Sequence, residues 1–428
     1  MMRRQILAML LIVANLLVAP AHGDDIPTFF TFEGSGYGHG VGMSQVGARG
    51  QALEGRSATE ILQYYFKDVA VEPVKDDQLI RVNIGHLLTN ISLRTDTKYG
   101  QLQLFSGDIK QGLSAIPVEK ISAKTNLVFT LLGSSIVPSL VKADGTSVML
   151  ESGSAWTIRW TGTRYLKGVP AVVSVKSGST SVKYRYGQMN IKVVNAANLG
   201  SRIEFTNTLR LHDEYLWGIG EMPSSWPASA LQAQVIASRS FALTRSKSLR
   251  SACACHLYAS FVDQNFVGYS KELETGWGQK WRDAVNATLD GEDNGLAVTQ
   301  NSIPIATYFF ASSAGQTSLA EDVWGTPIAY VQSVPDLWSL DPLLNPKFFY
   351  WERIVSQEVM AQAFSLPDVV SVEILSRKVN GNVDVMLATS STGQTAQLDG
   401  VSFKVSAKLP SRWFELAPPQ MSEVPLTP

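Results

Sequence analysis

Glu221 stands among Trp217, Met222, Pro223 and Trp226. A carboxyl group packed among such side chains loses solvation, and its pKa rises toward the range a general acid needs at neutral pH. Glycosidic bond cleavage requires that proton on the leaving oxygen. Most glycosidases pair the acid with a second carboxylate. The nearest candidates, Asp213 and Glu214, precede the motif and read as solvated loop residues. A single glutamate suffices where the acid then turns base, deprotonates a hydroxyl of the same sugar and lets the ring close on itself. The competing reading is structural, with Glu221 capping the helix that follows or pairing with Arg239.

The second unusual stretch is Gly34-Ser35-Gly36-Tyr37-Gly38-His39-Gly40-Val41-Gly42-Met43-Ser44, with glycine at every second position. Read as a strand, this alternation leaves one face as bare backbone, open to another backbone or a ligand ring. Ser35, Tyr37, His39, Val41 and Met43 line the other face. His39, Ser44 and Gln45 make it a candidate wall for hydrogen bonding to a sugar, against the alternative of a surface glycine loop. The strict period excludes a dinucleotide fingerprint, and no Gly-Lys-Ser/Thr provides a phosphate loop. Cys253 and Cys255 flank one residue, with His256 beside them. A local disulfide is the favoured reading. Zinc on these three residues is the alternative, short of a fourth ligand. No cofactor is expected.

These candidates need a scaffold. Arg3 and Arg4 followed by an apolar run from Ile6 to Ala19, with a small-x-small site at Ala21-His22-Gly23, read as a secretory signal cleaved before Asp24. The expectation is a secreted, soluble chain of the cell envelope. The 36 basic and 37 acidic residues nearly cancel, and no basic cluster points to nucleic acid. A neutral, hydroxyl-rich polymer is compatible with that balance. Ser57 is placed to cap a helix carrying Ala58, Ile61, Leu62 and Tyr65. Segments such as 79–84 and 171–175 alternate as strands. A helix over 228–246 carries Ala230, Ala233, Ala237 and Phe241 on one stripe, with Pro227 in its first turn and Ser224 or Ser225 as cap. Another helix spans 279–288, and strands follow around 296–310. The tail reads as helix over 351–365 and two or three strands over 368–406. The fold class is α+β: a mixed, β-rich domain with a few helices around a cleft, plus an inserted antiparallel β module. The boundaries are a signal at 1–23, a glycine-rich strand and helix at 24–72, the β module at 73–182, the main core at 183–418 and a loose tail at 419–428.

Taken together, three groups of motifs resemble the SpoIID/LytB family. The first runs from Glu214 through Gly218-Ile219-Gly220-Glu221-Met222-Pro223 and Trp226-Pro227 to the helix Ala230–Ala242. The second is downstream: Asp263-Gln264-Asn265-Phe266-Val267-Gly268, Trp281 with Ala284-Val285, Phe310-Ala311-Ser312-Ser313-Ala314-Gly315-Gln316-Thr317, and Asp322-Val323-Trp324. The third is Gly38-His39-Gly40-Val41-Gly42-Met43-Ser44-Gln45-x-Gly47-Ala48. The resemblance implies a peptidoglycan-active protein, either a lytic transglycosylase or an enhancer of a cell-wall amidase, and it places the catalytic acid at Glu221. By motif position it puts glycan contacts at His39, Ser44, Gln45, Trp226, Arg239, Gln264, Ser312 and Ser313. Three departures stand out. The Gly-His-Gly motif, usually near the C-terminus, is N-terminal here, the pattern of a circular permutation. Ala314 replaces the first glycine of a Gly-Gly turn. The Cys/His spacing differs from that of zinc-binding members. If the permuted strand fills the same slot, His39 shares a cleft with Glu221.

Overall fold

A computed structural model describes residues 26–110 and 115–417. The expected signal peptide, its cleavage point at Gly23-Asp24 and the tail at 419–428 lie outside them. The fold is α+β, as the sequence predicts. No helix among the described residues is long and apolar enough to cross a membrane.

Two antiparallel sheets share one apolar core. The larger runs in the order Leu257–Tyr258, Leu79–Leu88, Gly200–Arg210, Gln188–Ala196, Ala155–Trp160, Gln101–Ser106 and Glu119–Ser122; only the two-residue edge strand Leu257–Tyr258 is parallel to its neighbour. The second contains Asn90–Thr95, Asn126–Leu132, Ser135–Val141 and Val173–Ser177. Ile91, Leu93, Leu127 and Phe129 alternate inward from it against Leu102, Leu104, Trp156 and Ile158 of the first, the pattern of sheets with one buried face. The first sheet crosses the expected module boundary at residue 182: Ala155–Trp160 pairs directly with Gln188–Ala196.

Four helices lie over the site-bearing half. α1 (Gln45–Leu53) starts at Ser44, whose hydroxyl accepts from the Gly47 N–H. α2 (Ala58–Tyr65) starts with the capping box of Ser57 and Glu60. α3 (Ala228–Arg245) begins at Pro227 with no side-chain cap, so neither Ser224 nor Ser225 performs that role. Its stripe of Ala230, Ala233, Ala237 and Phe241 is buried, and the small side chains let α1, α2 and the strand Asn294–Gln300 approach closely. α4 (Gly278–Asn286) buries Trp281, Ala284 and Val285.

A second, smaller core forms from both ends of the described chain. Strand Phe29–Gly34 lies between Trp351–Ser356 and Phe414–Leu416, antiparallel to both. Phe32, Trp351, Phe403 and Phe414 pack beneath it with Val383 and Met386. The helix expected over 351–365 is therefore half strand: Trp351–Ser356 pairs with Phe29–Gly34, and only Gln357–Phe364 is helical, capped by Ser356. The strands expected over 368–406 are Ser371–Arg377, Val383–Thr389 and Thr395–Asp399, followed by an unforeseen helix, Gly400–Ser406, capped by Asp399.

The glycine ladder is not the pleated strand its alternation predicts. Gly34 ends the strand Phe29–Gly34, but Gly36, Gly38, Gly40 and Gly42 all have positive φ, so each of these four reverses the backbone hand, and strand resumes only at Met43–Ser44. What approaches its bare side is the chain's own segment 308–318. At Gly42, with φ of 80°, an added Cβ would stand 2.2 Å from the Tyr308 carbonyl oxygen. Gly42→Ala is expected to lower the unfolding free energy by about 2–4 kcal/mol through combined backbone strain and overpacking. A denaturant midpoint unchanged from the parent protein would contradict this.

Candidate functional site

Glu221 is positioned by two short segments zipped together. After strand Gly200–Arg210 the chain makes two tight turns, Leu211–Tyr215 and Leu216–Gly218. It then runs antiparallel to 265–267. Ile219 bridges Phe266, Gly220 N–H donates to the Asn265 carbonyl at 2.8 Å, and Val267 N–H donates to the Gly218 carbonyl at 2.8 Å. The glycines permit this approach. A Cβ at Gly218 would meet the Phe266 ring at 2.4 Å, and one at Gly220 would meet Val267 at 2.9 Å. The Glu221 carboxylate accepts from the Asn265 N–H at 2.6 Å. The loop beyond is tied down by the buried Lys271, which donates to the Met222 carbonyl at 2.6 Å, and by Lys280, which donates to the Ser225 carbonyl.

Glu221 is partly exposed. Burial pushes its carboxyl pKa up, and the Asn265 N–H pulls it partly back. The collar differs from the expected one. Pro223 is exposed, and the Trp217 ring packs on Tyr186 with Arg282 4.2 Å from its centroid. Of the expected collar Met222 is buried, and the segment 265–267 pairs closely alongside. Both structural alternatives for Glu221 are overturned. It caps no helix, since α3 has no side-chain cap. Arg239 pairs with Asp76, its Nε 2.7 Å from Oδ2. Among the described residues no cation lies within salt-bridge distance of Glu221. Asp213 and Glu214 are not solvated but buried. Asp213 is held by Arg210, and Glu214 by Arg164 at 3.0 Å. The only carboxylate of this stretch left without a cation is thus Glu221.

The remaining residues singled out by sequence fall into three groups. Arg239 is wholly buried, with Asp76, Thr288 and the Leu296 carbonyl as partners. Burial lowers its pKa to about 10, and Asp76 opposes that shift. Asp76 also meets His212 Nδ1 at 2.6 Å. In this position Arg239 cannot touch a ligand, so it positions the helix and is not a glycan contact.

A second group forms a buried polar row. Gln264 accepts from the Tyr215 hydroxyl and donates to the Ser238 carbonyl. Ser238 accepts from Gln234, and Gln234 accepts from Gln45 at 3.1 Å. Beside Gln45, the Ser44 hydroxyl meets Ser339 at 3.1 Å, and Ser339 and Ser313 both donate to Asp336. Trp226 is half-buried, with Arg49 of α1 5.4 Å from its centroid.

The third group lines a cleft: Gly38, His39, Ser312, Ser313, Ser318, Asn382 and Arg412 among others. Glu221 is not part of that lining. His39 Nδ1 accepts from the Val41 N–H at 3.0 Å, and its ring lies 5.3 Å from that of Trp324. Desolvation first, then the nearby Lys404, lowers its pKa to about 4, so it is neutral at pH 7. Cys253 and Cys255 are joined as a disulfide. His256 Nδ1 accepts from the Arg81 N–H. In this state neither sulfur is a thiolate able to hold zinc.

Asp76, Asp336 and Arg412 were missed. No local pattern marks them; each has a partner far away in sequence.

Residues 200–291 match the family model described as "Stage II sporulation protein" (SpoIID). This segment holds Glu221, Arg239 and Gln264. Stage II sporulation protein D of Bacillus subtilis (strain 168) is 29% identical over 180 residues, 39% of this chain and 52% of its own length. Stage II sporulation protein D of Bacillus amyloliquefaciens is 33% identical over 136 residues, 29% of this chain and 38% of its own. The amidase enhancer of Bacillus subtilis (strain 168) is 51% identical over 37 residues, 9% of this chain and 5% of its own. The chain spans about half the length of the first of these relatives and less of the others. No solved structure matches it.

Proposed function

We propose that this chain, which matches the SpoIID family model over residues 200–291, is an exported cell-envelope protein of the SpoIID/LytB kind that binds peptidoglycan glycan strands and cleaves them as a lytic transglycosylase. The observation that carries this reading is Glu221: partly exposed, raised in pKa by burial, unpaired with any cation among the described residues, and held at one oxygen by the Asn265 N–H. Protonated, it gives its proton to the glycosidic oxygen as the bond from that oxygen to the muramoyl C1 breaks. As carboxylate, it then takes the proton of the muramoyl 6-hydroxyl, whose oxygen bonds to C1. The products are a 1,6-anhydro end and a new 4-hydroxyl, with no water consumed and the acid regenerated. One carboxylate completes this cycle, consistent with the engagement of Asp213 and Glu214 by arginines.

The match to an amidase enhancer favours a second reading, a glycan-binding protein that stimulates an amidase without cutting. One digestion separates the two. The mature protein is incubated with peptide-free glycan strands, and the products are examined by mass spectrometry. Anhydro-muramoyl ends support cleavage. Their absence, with strands still bound, supports the second reading and sinks the first.

A further inference from the structure

The cleft beside the glycine ladder contains a buried cation that no carboxylate contacts directly, although Asp322, Asp384 and Asp399 stand near it. Arg412 is 5% exposed. Its Nη1 donates to the Asp322 carbonyl at 2.7 Å, and its Nη2 is buried with no partner. Among the described residues no carboxylate lies within salt-bridge distance of it. The nearby carboxylates of Asp322 and Asp384 are engaged by Lys378. In the same lining the Ser312 hydroxyl, on a residue 2% exposed, is buried without a partner as well. Asn382, bonded to Ser318 at 3.0 Å, completes that wall.

A buried guanidinium and a buried hydroxyl left unmatched in one cleft each cost free energy, which a ligand accepting hydrogen bonds would recover. Arg239 and Arg159 also leave Nη2 buried without a partner, but neither lines this cleft: Arg239 has Asp76 and no exposure, and Arg159 has Gln188 and the rings of Phe105 and Tyr165. At the rim, Trp324 is 43% exposed and stands beside His39. Arg412 bonds to the same short helix, Glu321–Trp324.

We propose that this cleft is a carboxylate-binding subsite, built jointly by Arg412 of the smaller core, Ser312 and the glycine ladder. The inference rests on the glycan-binding reading and names the group that is gripped away from Glu221. In peptidoglycan that carboxylate is either the free lactyl group of a peptide-stripped muramoyl residue or one on a stem peptide. Both present the same planar acceptor to a guanidinium.

The test titrates the mature protein with N-acetylmuramic acid, its methyl ester, N-acetylglucosamine and a free stem tripeptide, following Trp fluorescence and amide NMR shifts. At least one carboxylate ligand should bind about tenfold or more tightly than the ester and the neutral sugar, the worth of one hydrogen bond to a charged group. Which carboxylate binds identifies the source. Arg412→Gln should erase that preference, and Ser312→Ala should weaken binding about fivefold, a loss of roughly 1 kcal/mol. Equal binding of acid and ester by the unaltered protein, together with no response to the tripeptide, overturns the proposal even if Arg412→Gln fails to fold. Anhydro ends formed without carboxylate preference sink this inference alone. Carboxylate binding without anhydro ends sinks the transglycosylase reading alone.

Discussion

Glu221→Gln should remove 1,6-anhydro products from glycan digests by a factor of at least about 10², the usual contribution of a positioned proton donor, while strand binding persists. Glutamine keeps the size of the side chain and an oxygen to accept from the Asn265 N–H, so the fold has no reason to change. What it lacks is the transferable proton. The pH dependence has a defined sign. Burial raises the carboxyl pKa, so the acid form survives further up the pH scale than for a free glutamate, and the rate should fall as pH rises through that raised value. Replacing Glu221 with Asp draws the acid back by about one methylene and should cost activity through geometry even where the proton is present. A Gln variant as active as its parent would strip Glu221 of the assigned role.

The second large effect concerns stability. Arg239→Met should lower the unfolding free energy by about 3–5 kcal/mol, because it leaves the Asp76 carboxylate buried beside His212 without its main cation. Urea unfolding of the purified variant reads this directly. The double replacement Asp76→Asn with Arg239→Met should recover part of the loss, since the unmatched charge disappears with its partner. A single variant as stable as the parent but poor at binding glycan would instead restore Arg239 as a ligand contact.

The contrast between these two residues shows how far the sequence could be read. Helix α3 and the Ser57 capping box are written in short-range spacing and appear where the spacing puts them. Glu221 was legible as a residue in an apolar stretch, but its two structural alternatives were decided by Asp76 and Pro227. Asp76 lies 163 residues from Arg239, and nothing near it in sequence announces the pairing. The glycine alternation was legible as an anomaly and misread as a pleat: composition says that side chains are absent, and only tertiary packing against 308–318 fixes the sign of φ. The strand at Trp351–Ser356 was read as helix because its partner is Phe29–Gly34, far outside any local window. Arg412 gave no signal at all, since its significance is an Nη2 left without a partner in space.

Strand Phe29–Gly34 also sets the order of assembly. Its neighbours on both sides come from the other end of the described chain. The Trp351 indole that closes on Gly36 is 315 residues away. During synthesis this strand is made long before either of its partners and must wait for them unpaired. Closing so long a loop carries an entropic cost and slows folding, and a waiting edge invites wrong partners. In return, an unfinished chain holds no assembled cleft. The ladder, the 312–318 turn and Arg412 meet only once the chain has been made as far as strand Phe414–Leu416, so a product truncated before it should grip nothing.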